Sequence, residues 1–316
     1  MNEPLVIARA FHLASTLLLV GTIMFRCFVA APAFRAKASG ALEQGLRIRL
    51  ARIVWGALAV AVLSGAAWLA FVAAEIGGVS VADAISEGLA GVVLTQTAFG
   101  DAWMLRLEMA SLLAVLLLLP KPNPGFASAA DIICAMLAAG LAASLAWAGH
   151  AAATEGVDGV IHLASDSLHL VAAAAWLGGL WPLSILLGRA GEAGDAASAA
   201  IAYQATRRFS ILGMISVAAI LATGVVNTYE ILGMMAFSIM ATDYNRLLLA
   251  KIGFFIAMLA IAAFNRQRLT PRLSDERDRG RAIRQLRWNS LAEVGLGLLI
   301  LAIVAVLGRV APDAHG

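Results

Sequence analysis

The chain has 316 residues, is 61% hydrophobic and only 14% charged, and has a mean hydropathy of +0.86. That balance excludes a soluble globular domain, and no polar stretch is long enough to form one. The formal net charge of +3 does not point to nucleic acid, because no basic groove is interleaved with aromatic residues.

Apolar runs recur along the chain at about 5–31, 53–75, 102–119, 131–149, 166–187, 209–231, 246–264 and 290–308. Crossing roughly 30 Å of hydrocarbon takes about twenty apolar residues as a helix. In lipid the backbone must be satisfied within helices or within a closed barrel. These runs are too long and too uniformly apolar for barrel strands. The predicted fold is therefore all-α: a polytopic membrane protein with eight transmembrane helices. The first run follows Met1-Asn-Glu-Pro4, and Arg9 is its only early basic residue. Arg26, Arg35, Lys37, Arg47, Arg49 and Arg52 come after it, which reverses the polarity of a secretory signal. It is read as a retained helix.

The charged residues alternate with the spans. Lys and Arg collect after spans 1, 3, 5 and 7, most densely between Asn265 and Trp288. The stretches after spans 2, 4 and 6 carry Glu75, Asp83, Glu87, Glu155, Asp158, Glu230 and Asp243 instead. Positive residues stay on the cytoplasmic side. Both termini are then expected outside.

The two halves read as copies. Arg9-Ala-Phe-His12-Leu-Ala aligns with Asp166-Ser-Leu-His169-Leu-Val, and Gly21 falls on Gly178. Ser64-Gly65 falls on Thr223-Gly224, and Arg106 on Lys251. The predicted organisation is two parallel four-helix repeats, 1–150 and 151–316. An even number of spans gives both copies one orientation.

Four of the five histidines, His12, His150, His162 and His169, fall at the outer end of this bundle. His315 is read as a tail residue. On a helix, His162, Asp166 and His169 share one face, because spacings of three and four return to it. Neutral imidazole is the commonest protein metal ligand and suits copper, zinc, iron and nickel. Asp166 ligates directly or orients a histidine from behind. The candidate metal ligands are therefore His12, His150, His162, Asp166 and His169, with His12 and His169 meeting across the repeat axis. Trp176 lies on nearly the same face and floors such a site or packs the core. Arg106, Glu108 and Lys251 are intramembrane charges and are read as ion-paired. Cys27 and Cys134 fall near the inner end beside Met24 and Met136. They are small buried residues by default, or soft ligands for Cu(I). No Walker motif, dinucleotide fingerprint, HExxH helix or serine elbow occurs, so no catalytic residue and no organic cofactor is assigned.

The run Asp166-Ser-Leu-His169-Leu-Val-Ala-Ala-Ala-Ala-Trp176-Leu-Gly-Gly-Leu180 resembles the signature of the bacterial copper resistance protein D family. Arg208-Phe-Ser210, Ala222-Thr-Gly-Val225, Tyr244 to Lys251, Phe264-Asn-Arg266 and Pro271 resemble it as well. The resemblance implies an eight-span inner-membrane protein that moves copper ions from periplasm to cytoplasm. It also implies work beside a periplasmic copper-binding protein of the copper resistance C type. Copper, the lipid bilayer and that protein are the expected partners. Binding through deprotonated histidines would weaken as pH falls toward the imidazole value of about 6.5. The alternatives are a membrane redox protein with b-type haem between His12 and His169, and a metal sensor without transport.

Overall fold

The computed structural model describes residues 3–36, 40–119, 129–148, 156–232 and 243–310. All regular structure among them is helical. In chain order the α-helices are α1 (Glu3–Met24), α2 (Ala31–Ala36), α3 (Gly40–Gly77), α4 (Val81–Ser86), α5 (Leu89–Gln96), α6 (Ala98–Leu118) and α7 (Ala129–Ser144). They continue with α8 (Gly156–Ala193), α9 (Ala196–Leu232), α10 (Asp243–Phe264), α11 (Thr270–Arg272) and α12 (Arg279–Leu307). Two turns are π-helical, Phe25–Ala30 and Asn265–Leu269.

Seven helical stretches are long and apolar enough to cross a membrane: 3–35, 40–77, 129–147, 156–193, 196–230, 243–272 and 279–307. Seven of the eight expected runs therefore have such a helix. The remaining run, 102–119, forms α6, which has 21 residues. Every eighteen-residue stretch inside α6 holds Asp101, Arg106 and Glu108, which sets it apart from the others.

Several helices are longer than their apolar runs. The α3 and α8 helices each have 38 residues, so each extends about 57 Å at 1.5 Å per residue, well beyond the hydrocarbon. The excess of α3 is amphipathic. Leu42, Leu46 and Leu50 recur every fourth residue and are buried, while Arg47, Arg49 and Arg52 are exposed. These leucines join Phe25, Leu183, Leu186, Leu187, Ile201, Ile283 and Leu286 in one core. Packing thus continues past the membrane at the end of the bundle that carries the arginines.

The centre of the fold is α8, which packs on α1, α3, α7, α9 and α12. It runs in the same direction as α1. Arg9 faces Asp166 near the helix starts, and Phe25 and Leu183 share the core at the far end. The two helices touch backbone to backbone at Gly21 and Gly178. A Cβ on either glycine would overlap the other helix's main chain. Small residues permit this approach. His12 and His169 each lie nine residues before their glycine (12 to 21, 169 to 178). Both therefore stand about 13 Å up the helix from the contact, on the same side of it.

Trp176 belongs to the core. It is 3% exposed, meets Phe255 edge-on at 5.9 Å and lies against Gly213. Trp176→Ala is expected to cost about 3–5 kcal/mol of stability. Reversible denaturation of the purified protein would measure it, and a change under 1 kcal/mol would contradict this packing.

Short helices α4 and α5 cap one end of α3. Ser80 starts α4 by accepting from the Asp83 backbone N–H at 3.2 Å. Gly88, at φ 76°, supplies the left-handed turn that a side chain would resist between α4 and α5.

Candidate metal site

His12 sits in α1 with 4% of its surface exposed. Its Nδ1 is 2.9 Å from the Ala61 carbonyl oxygen of α3. A carbonyl only accepts, so Nδ1 carries the proton. In the neutral ring this leaves Nε2 with a bare lone pair, and Nε2 is buried without a partner among the described residues. Two tryptophans hold the ring in place, Trp68 at 5.6 Å and Trp103 edge-on at 5.8 Å. Trp103 reaches the imidazole because Gly65 lacks a side chain.

Beside His12 is a cavity of about 20 Å³, lined by Thr16, Leu58, Trp103, Arg106 and Leu141 among others. That is the volume one water molecule needs. Arg106 comes from α6. Its Nε donates to Ser144 Oγ at 3.2 Å and its Nη2 to the Ser144 carbonyl at 2.6 Å, while Nη1 is buried without a partner among the described residues. Arg106 thus spends its hydrogen bonds on Ser144 of α7 rather than on the carboxylate expected from sequence. Its charge faces His12 and opposes a cation resting on that ring.

His169 is held in a parallel way by different helices. Its Nδ1 is 3.0 Å from Thr223 Oγ1 of α9. The Thr223 hydroxyl donates to the Ala219 carbonyl at 2.6 Å, so it accepts from Nδ1–H of the imidazole. Nε2 again keeps its lone pair. Lys251 of α10 lies near enough to act on this ring electrostatically. Asp166, one turn earlier on α8, accepts from Asn227 Nδ2 at 3.2 Å. Its carboxylate also acts on Lys251 and on Arg9. Arg9 lies 5.7 Å over the Trp68 ring and packs against Gly308, and the neighbouring Arg309 is ion-paired with Glu75.

The five candidates are distributed as follows. His162, Asp166 and His169 lie along α8, with His162 buried and the other two half-buried. Ser165, between them, donates to the Thr223 carbonyl at 3.2 Å. His12 engages α3 and the tryptophans, whereas His169 engages α9, so the two rings are anchored in separate surroundings. His150 lies outside the described residues, as does His315. Among the described residues, no group of three or more His, Cys, Asp and Glu side chains is arranged to hold a metal ion. The residues that sequence reasoning missed here are Trp68, Trp103 and Thr223. A Trp one turn beyond Gly65 was the available signal for Trp68.

At the arginine end, Cys27 and Cys134 are buried thiols in one core. Cys27 Sγ donates to the Asp131 carbonyl at 3.3 Å. Arg26 Nη2 bonds Asp131 Oδ1 at 2.8 Å, tying α7 to the end of the first span.

Known proteins supply an independent test of the resemblance. Residues 1–160 match the family model for the copper resistance protein D-like N-terminal domain, and residues 203–307 match that for copper resistance protein D. Residues between these matches include His162, Asp166 and His169. The chain is 32% identical over 228 residues to copper resistance protein D of Pseudomonas syringae pv. tomato, covering 71% of this chain and 72% of that protein. It is 31% identical over 309 residues to inner membrane protein YebZ of Escherichia coli K12, covering 96% and 97%. It is 29% identical over 261 residues to copper transport protein CutJ of Bacillus subtilis 168, covering 81% and 45%. No solved structure matches the chain. Two family models that together cover most of the sequence, and a relative aligned from end to end, show that the chain belongs to the copper resistance protein D family.

Proposed function

We propose that this protein carries copper ions across the bacterial inner membrane, from periplasm to cytoplasm. The carrying observation is the state of the two anchored imidazoles. His12 and His169 each commit Nδ1–H to an internal acceptor and leave Nε2 as a lone-pair nitrogen. An internal acceptor that fixes tautomer and ring orientation is how proteins prepare a histidine for metal. Family membership supports copper as that metal, since two relatives are named for copper resistance and copper transport.

In this reading α6 is the eighth crossing, and the halves 1–150 and 151–316 are parallel repeats. Each half then presents an imidazole from its first helix, a Ser/Thr-Gly pair from its second and a cation from its third: His12, Ser64-Gly65 and Arg106, then His169, Thr223-Gly224 and Lys251. The copies differ in kind at two positions. Arg9 and Trp68 in the first correspond to Asp166 and Asn227 in the second. The only carboxylate in this set belongs to the second copy, so His169 and Asp166 receive the ion, with His162 on the same helix and His150 as a further proposed ligand. His12 faces Arg106 and serves next along the path. A copper resistance C-type protein would deliver the ion at this end. The haem alternative fares worse, because Trp68 and Trp103 enclose the His12 ring and leave only about 20 Å³ beside it.

Uptake of radioactive copper into proteoliposomes tests the reading. Copper-dependent binding without accumulation would reassign the protein as a sensor. Orientation follows from the arginine-rich loops. A reporter fused after Gly316 is expected to be active in the periplasm; cytoplasmic activity there would invert the assignment.

A further inference from the structure

Glu293 is a carboxyl group placed where the sequence supplies no counter-charge. It lies in α12 and is 1% exposed. Oε1 accepts from Asn265 Nδ2 at 2.9 Å, and Oε2 is buried with no partner among the described residues. The ionisable groups on each neighbouring helix are elsewhere. On α8 none occurs between His169 and Arg189. On α1 none occurs between His12 and Arg26, and Arg26 is held by Asp131. On α10 and the turn after it, none occurs between Lys251 and Arg266. Arg266 reaches Ser210 at 2.8 Å, and Arg268 and Arg272 are exposed. On α12 itself the nearest are Arg287, packed against Gly188, and Arg309 at the far end. Arg52 of α3 is exposed. A carboxylate buried without a counter-charge is among the costliest groups a fold can hold, and a proton removes that cost.

The surroundings are built rather than incidental. Asn265 opens the π-helical turn Asn265–Leu269, a distortion that recurs at functional sites. Its Oδ1 accepts from Asn289 Nδ2 at 2.6 Å, and its carbonyl accepts from Thr270 Oγ1 at 2.8 Å. Asn289 is half-buried, one turn nearer the arginine end, beside exposed Trp288 and Arg287. A carboxyl and two amides therefore form a hydrogen-bonded track from the buried core of α12 toward the water at that end.

We propose that Glu293 is an intramembrane proton-binding site opening to the arginine side, and that a copper ion crossing this half of the bundle displaces its proton. In that step the Oε2–H bond breaks and its electron pair stays on the oxygen. The proton passes to water admitted along the amide track, and the carboxylate faces the cation. No atom changes oxidation state. The displacement rests on the transport reading above; the proton site does not.

Two measurements on the full-length purified protein separate these. Infrared spectra of the parent in lipid should show a protonated-carboxyl stretch at neutral pH, where exposed carboxyls have ionised. Glu293→Gln, which keeps the volume and the Asn265 hydrogen bond, should lack it. Asn289→Leu should keep the band but slow its hydrogen–deuterium exchange. A parent spectrum without a band that Glu293→Gln removes would overturn the proton site. In proteoliposomes holding a pH dye with the arginine side inward, a pulse of copper should acidify the lumen transiently in the parent, the pH recovering once the ion has left and the carboxylate has taken its proton back from the same side, and Glu293→Gln should lose that transient. Copper uptake by the parent with no acidification would overturn the displacement alone. No uptake by the parent would overturn transport and displacement together, with the proton site still decided by the infrared band.

Discussion

Gly178→Val is expected to abolish assembly of the bundle. Gly178 has no room for even a methyl group, because its Cβ would overlap the Leu17 carbonyl of α1. The obstacle is main chain, which cannot rotate aside as a side chain can. Ordinary overpacking costs roughly 1–3 kcal/mol; here α1 and α8 must separate, and every helix packed on α8 loses register. Monodisperse protein in detergent should fall to background for Gly178→Val. Gly253→Ala should be recovered normally, since nothing lies within 4 Å of its added carbon. Normal yield and thermal stability of Gly178→Val would show that the α1–α8 contact is wrong.

His169→Ala is expected to abolish copper uptake while leaving the protein folded. The ring hydrogen-bonds to α9, at Thr223 and at the Ile220 backbone, and the Thr223 hydroxyl keeps its own bond to Ala219 after the loss. The structural cost is therefore small, and the lost lone pair removes the proposed ligand one turn along α8 from Asp166. His12→Ala differs, because it also empties a ring held by Trp68 and Trp103. That variant should lose stability as well as transport. Copper stoichiometry on purified protein and uptake into proteoliposomes are the readouts. Parent-level binding by His169→Ala would end the assignment.

The helices were legible because the apolar runs, apart from 102–119, are long and uniform, a requirement of lipid rather than of this fold. Their true lengths were not. The runs beginning near 53, 209 and 290 continue helices that start at Gly40, Ala196 and Arg279. Leu42, Leu46 and Leu50 carried that signal as a fourfold spacing among arginines, which hydropathy alone passes over. Helices α4 and α5 were missed because six- and eight-residue segments fall below any membrane-span threshold. The alignment of the two halves set Gly21 on Gly178 as equivalents, but it did not show that the two would touch. The partners of the histidines were not visible. Spacing puts His162, Asp166 and His169 on one face, but which neighbour that face meets depends on helix rotation. Rotation turns His12 toward Ala61, and nothing local to His12 encodes it.

The glycine contact between α1 and α8 also bears on movement. Two helices that touch through backbone at one place have a fulcrum there, and the segments above it are lever arms. His12 and His169 sit at matched distances of about 13 Å from that fulcrum. A relative tilt of about ten degrees would carry one imidazole past the other by on the order of 2 Å. That is comparable to a metal–nitrogen bond. A small swing about Gly21 and Gly178 is therefore enough to shift one anchored imidazole relative to the other by about a bond length. The same swing leaves the contact at the pivot almost unmoved.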